Sequence, residues 1–359
     1  MAARFAILVD LRTSGLPTSD FRTSDFRLPT SGLRTSDFGL RTSGVVPPEG
    51  KFGGEMKRYL PNFTAGIGAI NRTYNITMNL SRNLHKGTSQ RQICEYQNNS
   101  IHYEIYAAER PSNSRVLFFN GSGATLRSSA PFIRALAKES HVLAHDQRGL
   151  GRTSTPEGPF TMAQYATDAV TLMDYVGWDT CTVIGISFGG MVAQEFAATF
   201  PSRVTRLCLM CTSAGGVTGS SYPIHELDLF PPEERKKMVA ILFDTRFTST
   251  WLEKNPQDAE LIRMRQVMST IDKSVGEKNQ LEARSLHDVA DRLHNITANT
   301  FVMAGRFDGI APFKNSLAIA ERIAKARVSI YEGGHLFIVQ DPRAISDIRH
   351  FVATGVPGS

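Results

Sequence analysis

The 359-residue chain is poor in cysteine and in tryptophan, with four of the first and two of the second. So few cysteines exclude a disulfide scaffold, and a reducing compartment, the cytoplasm, is the expected location. Cys208 and Cys211 have metal-like spacing. No second pair completes four ligands, so core packing is expected for them and no metal is called for. No run approaches the ~18–20 consecutive apolar residues of a transmembrane helix. The apolar start of the chain is cut by Asp10, too early for a signal peptide. A basic excess is also missing where it would matter. The formal net charge is +6, but residues 1–90 supply all of it, and residues 91–359 hold 28 Lys+Arg against 28 Asp+Glu. That balance argues against a nucleic-acid or membrane partner. Gly121-Ser122-Gly123 and Gly149-Leu150-Gly151 lack the rest of a dinucleotide fingerprint, so no nucleotide cofactor is expected.

What is present falls into two regimes. Residues 11–44 repeat a unit of five or six residues, beginning Leu11-Arg12-Thr13-Ser14-Gly15. A solenoid unit needs ~20 residues or more, and here Gly and Pro interrupt any apolar face. Residues 1–90 are therefore expected to be a low-complexity, disordered extension. Asp10, Asp20, Asp25 and Asp37 weigh against a transit peptide, and Met56 and Met78 are alternative starts.

From residue 91 the pattern changes. A hairpin is expected from Ile93–Tyr96 and Ile101–Ala107. Apolar strand-like runs follow at Val116–Asn120, Val142–His145, Thr182–Ile186, Val204–Met210, Thr300–Ala304 and Val328–Tyr331. Helical patterns lie between most of them: Ala130–Glu139, Thr161–Val176, Gly190–Phe200, Ser316–Ala326 and Pro342–Phe351. Strand and helix in alternation, with continuous apolar strands, predict an α/β fold with a mostly parallel sheet covered on both faces. About 80 residues between Met210 and Thr300 read as helices, at Pro231–Thr245, Ser249–Lys254, Ala259–Ile271 and Lys278–Leu293. The expected layout is a core over residues 91–216 and 285–359, with residues 217–284 as a helical lid over the strand ends.

The chemistry centres on Gly185-Ile186-Ser187-Phe188-Gly189-Gly190, a Gly-x-Ser-x-Gly pattern with a strand before it and a helix after. Such a turn lifts a serine hydroxyl clear of the sheet, and Ser187 then needs a base and an orienting acid. In a parallel sheet those groups collect at the carboxyl ends of strands. Gly305-Arg306-Phe307-Asp308 follows one strand and Gly333-Gly334-His335 the next. Ser187, Asp308 and His335 stand in the chain order of one known triad arrangement. Taken singly, Asp308 could cap the helix after Pro312 and His335 could be an ordinary loop histidine.

With Phe119-Asn120-Gly121-Ser122-Gly123 and His145-Asp146-Gln147-Arg148-Gly149 added, Ile93–Phe351 resembles the α/β-hydrolases. Within that superfamily it resembles small-molecule ester and lactone hydrolases such as the 3-oxoadipate enol-lactonases and polyketide methylesterases. The resemblance implies Ser187 as nucleophile, His335 as general base and acid, and Asp308 as its orienting carboxylate. It implies an oxyanion hole from the Phe188 and Ser122 N–H groups, and a structural role for the Asp146-x-Arg148-Gly149 stretch. Many relatives have His-Gly where this chain has Asn120-Gly121.

The expected function is metal-free and cofactor-free hydrolysis of a small carboxylic ester or lactone, with the oligomeric state left open. The lid segment holds ten Lys+Arg and eleven Asp+Glu, no cationic excess, which favours an uncharged substrate. Arg263 or Arg265 could still clamp an acid locally. Two alternatives stand: a C–C bond hydrolase of a diketone-like substrate, which uses the same triad, and a non-catalytic ligand-binding member of the fold.

Overall fold

The computed structural model describes residues 92–269 and 273–358. The expected N-terminal extension over residues 1–90 lies outside the described residues. The sheet has eight strands: β1 (Gln92–Tyr96), β2 (Asn99–Tyr106), β3 (Arg115–Phe119), β4 (His141–His145), β5 (Cys181–Ile186), β6 (Val204–Met210), β7 (Asn299–Gly305) and β8 (Ala326–Tyr331). Their spatial order is β1-β2-β4-β3-β5-β6-β7-β8. β1 and β2 form the antiparallel hairpin, β2 runs antiparallel to β4, and every later pairing is parallel.

The apolar runs have a simple cause. Successive strand side chains face opposite sides of the sheet, and both sides are covered. Leu117, Phe119, Val183, Leu207, Leu209 and Val302 join one buried cluster. Their neighbours Val116, Phe118, Ile184, Cys208, Met210, Phe301 and Met303 join another. On the first face lie α2 (Met162–Tyr175), α3 (Phe188–Thr199) and α8 (Phe313–Arg322); on the second lie α1 (Leu126–Ala137) and α10 (Arg343–Thr354). The short α9 (Phe337–Gln340) precedes α10.

Between β6 and β7 comes the helical insertion: α4 (Pro232–Phe243), α5 (Ser249–Lys254), α6 (Pro256–Ser269) and α7 (Val275–Ser285). A small apolar cluster of its own includes Leu227, Val239, Leu242, Phe247 and Ile262, and reaches Ile310 of the core. No helix among the described residues is long and apolar enough to cross a membrane.

Several helix limits differ from the sequence-based expectation. α8 covers Phe313–Arg322 rather than Ser316–Ala326, because Ala326 already pairs in β8, and α6 begins at Pro256 rather than Ala259. α1 starts at Leu126, not Ala130, because Thr125 and Ser128 form a capping box ahead of the apolar residues. α3 starts at Phe188, not Gly190, with Ser187 as its cap. The expected helix over Lys278–Leu293 is α7 ending at Ser285, followed by a 3-10 turn at Ala290–Asn295. There the chain turns to dock beyond the carboxyl end of β6, with Val289 N–H donating to the Ala214 carbonyl at 2.8 Å.

Candidate active site

Ser187 sits where β5 gives way to α3, with φ 54° and ψ −115°. A residue with a side chain held there stores about 1–3 kcal/mol of strain, which its surroundings must over-determine. They do so at both ends of the residue. Its N–H donates to the Met210 carbonyl at 2.8 Å. Its carbonyl accepts from Thr212 Oγ1 at 2.8 Å and from Gly190 N–H at 2.9 Å. The flanking glycines are required by close approach: a methyl group at Gly185 would collide with the Gly189 carbonyl, and one at Gly189 with the Phe119 carbonyl.

Asp308 and His335 lie just past β7 and β8, as the strand-end argument expects. His335 Nε2 is 3.0 Å from Ser187 Oγ, and His335 Nδ1 is 2.8 Å from Asp308 Oδ2. The other oxygen of Asp308 accepts from the N–H groups of Ile310 and Ala311, each at 2.8 Å. Asp308 is buried and spent on its own turn and on His335, while Pro312 caps α8 without it. Three groups separated by up to 148 residues thus form one hydrogen-bonded row. Such a row can remove the proton of a hydroxyl and hold the resulting imidazolium.

The insertion braces this row. The last turn of α4 is stitched to both loops: His335 N–H donates to the Phe243 carbonyl at 2.6 Å, and Gly309 N–H to the Leu242 carbonyl at 3.0 Å. The Phe243 ring also meets the imidazole edge-on, with centroids 6.0 Å apart.

Phe188 opens α3, so its N–H has no intrahelical acceptor and stands beside Ser187. The loop after β3 runs alongside, since the place of a Cβ on Gly121 lies 3.8 Å from Ser187 Cβ. Ser122 follows, its hydroxyl enclosed and unpartnered; the buried Asn120 side chain also has no hydrogen-bond partner. This loop is held from outside. Gln147 Nε2 donates to the Asn120 carbonyl at 2.8 Å, and Gly123 N–H donates to Gln280 Oε1 at 2.8 Å. Gln280 Nε2 in turn reaches Gln147 Oε1 at 3.4 Å. Gln147 and Gln280 were not legible as site residues, because no motif marks a contact across 133 positions.

The Asp146 stretch is structural here. Asp146 accepts from Leu126 N–H at 2.7 Å and Arg152 N–H at 3.0 Å, and faces His102 Nδ1 at 3.1 Å. Arg148 binds Asp168 through two nitrogens, at 2.9 and 2.7 Å. Cys208 and Cys211 both pack in the core, as expected; burial pushes the Cys208 thiol far up, and Cys211 follows β6 at φ 42°. Cys211, Asp308 and His335 keep their donor atoms within 4.8 Å of one another. It is the one cluster with metal-like spacing among the described residues, and two of its members already bond to each other.

Known proteins share this fold. A family model for the alpha/beta hydrolase fold matches residues 114–342. A poly(3-hydroxyalkanoate) depolymerase of Ectopseudomonas oleovorans is 31% identical over 255 residues, 71% of this chain and 89% of that protein. The 3-oxoadipate enol-lactonase 2 of Acinetobacter baylyi is 26% identical, over 69% of this chain and 90% of that one. The crystal structure of the enol-lactonase from Burkholderia xenovorans LB400 shares the fold with a TM-score of 0.61 at 22% identity, covering 73% of this chain and 100% of that one. The family match extends from β3 through the loops of Ser187, Asp308 and His335, and the chain belongs to the alpha/beta hydrolase fold family.

Proposed function

We propose that this chain is a serine hydrolase that cleaves a small carboxylic ester or lactone through an acyl-enzyme. The observation that carries the reading is the row from Ser187 through His335 to Asp308, at 3.0 and 2.8 Å. Ser187 Oγ attacks the carbonyl carbon while its proton passes to His335 Nε2. The tetrahedral oxyanion is held by the Phe188 and Ser122 N–H groups, each donor lowering the barrier by about 3 kcal/mol. The carbon–oxygen bond to the leaving group breaks as His335 returns the proton to that oxygen. Water then repeats the sequence, with His335 again as base, and frees the acid and Ser187. Asp308 holds the imidazole with Nδ1 as donor and stabilises its charged form.

The names of the relatives support the bond type. A poly(3-hydroxyalkanoate) is joined by esters, and an enol-lactone is a cyclic ester. The test is steady-state turnover of p-nitrophenyl esters, lactones and a vinylogous diketone, with Ser187→Ala as control. Turnover of esters or lactones that vanishes in the variant supports the proposal. Turnover of the diketone alone would replace it with C–C bond cleavage. No turnover by folded protein would leave the ligand-binding alternative.

A further inference from the structure

The last helix of the insertion carries a charge without a counter-ion. Arg284, near the end of α7, is 6% exposed, and its Nε and Nη2 are enclosed with no hydrogen-bond partner. No ion pair to it occurs among the described residues. Burial alone pulls its pKa from 12.5 down to about 10. A buried guanidinium is retained at a cost of several kcal/mol unless something pairs with it.

The geometry of the unmatched edge is specific. Nε and Nη2 form the side of a guanidinium that takes a carboxylate with two parallel bonds. At three other arginines that side is filled, whereas Arg235 and Arg349 lack a partner at Nε only and bond an acceptor through Nη2. Arg148 binds Asp168 through both nitrogens at 2.9 and 2.7 Å, Arg246 binds Asp244 at 2.9 and 2.6 Å, and Arg343 binds Asp341 at 3.1 and 2.7 Å. Arg284 is more buried than Arg148 and has no such carboxylate.

Its position points to the reaction site. α7 follows the carboxyl edge of the sheet. Gly276 packs on the backbone of Gly149 after β4, Gln280 accepts from Gly123 after β3, and Val289 beyond the helix bonds Ala214 after β6. In the sheet, β5 lies between β3 and β6. Arg284, one turn after Gln280, therefore lies on the stretch that passes the end of β5, where Ser187 stands. The Ser122 hydroxyl and the Asn120 side chain, also enclosed and unpartnered, line the loop that Gln280 holds.

We propose that Arg284 is the binding residue for a carboxylate on the substrate, so that this enzyme acts on esters or lactones whose acyl part ends in an acid. The proposal rests on the serine-hydrolase reading and narrows its substrate class. It departs from the uncharged substrate that the charge count of the segment favours. Arg263, an alternative clamp by sequence, is exposed and already paired with Glu260 at 2.7 and 2.6 Å. The Arg265 side chain lies outside what the structure describes.

The experiment compares kcat/KM for p-nitrophenyl half-esters of adipic, pimelic and suberic acids with that for p-nitrophenyl hexanoate, heptanoate and octanoate. A charge-assisted bidentate contact gives a preference of about tenfold or more. The wild type is expected to favour the half-esters by at least that factor. The preference should fall to near unity in Arg284→Met and to an intermediate value in Arg284→Lys, which keeps the charge but not the fork. A readout on the wild type alone guards against a variant that fails to fold: adipate should compete with the half-ester and raise the melting temperature, whereas hexanamide should do neither. Equal turnover of charged and neutral esters by the wild type overturns the proposal, as does a preference that survives in Arg284→Met. Absence of turnover on every ester instead removes the serine-hydrolase reading beneath it.

Discussion

Ser187 is held in a conformation that a side chain rarely adopts, and the cost is met by bonds to Met210, Thr212 and Gly190. The residue is therefore poised before any substrate arrives. Under the proposed mechanism, His335→Ala should lower kcat by about 10⁶ and Asp308→Asn by about 10⁴, while the far-ultraviolet circular dichroism stays unchanged. Gly189→Ala should act differently, on folding rather than on chemistry. Its methyl group meets the backbone carbonyls of Phe119 and Asn120, which cannot swing aside like a flexible side chain. A loss of about 3 kcal/mol, at the upper end for overpacking, is expected in urea unfolding.

At the scale of elements, the loop after β3 and helix α7 act as a pair. Gln147 holds the loop at Asn120 and Gln280 holds it at Gly123, with Ser122 between them. Gln280→Ala should displace the Ser122 N–H without touching the triad. The expected result is a fall in kcat of about tenfold, a fraction of the effect of losing an oxyanion donor outright, with KM little changed. Gln280→Glu keeps the acceptor for Gly123 N–H but loses the donor to Gln147, and should recover only part of the rate. The strands and the placement of Ser187, Asp308 and His335 were legible because each depends on a few adjacent residues: an apolar run, a glycine turn, a polar group just after it. The clip by Gln280, the anchoring of His335 to the Phe243 carbonyl, and the burial of Arg284 were not legible. They arise from where the insertion comes to rest, which its composition does not encode. A charge count treats Arg284 like the exposed Arg263, and only the fold separates them.

At the scale of the whole molecule, the same packing that encloses the site encloses ionisable groups. Burial drives His287 down to about 4, and lowers His145 as well. Unfolded, each takes up a proton near pH 6.5, and folded they resist it. The unfolded chain therefore binds more protons between about pH 6.5 and 4, so stability is complete above that window and falls as the pH falls through it. His287→Phe should flatten that part of the profile by up to about 3 kcal/mol, read from urea unfolding at pH 7 and pH 4.5. The alpha/beta hydrolase family sets the frame in which these parts work, and the proposed function turns on one bond, that between Ser187 Oγ and an acyl or phosphonyl group. The direct test is the intact mass of the protein after exposure to a fluorophosphonate, beside Ser187→Ala. A single adduct on the wild type, mapped to Ser187 and missing from the variant, is the expected result. Folded wild-type protein that gains no mass, or gains it equally in Ser187→Ala, would contradict the account.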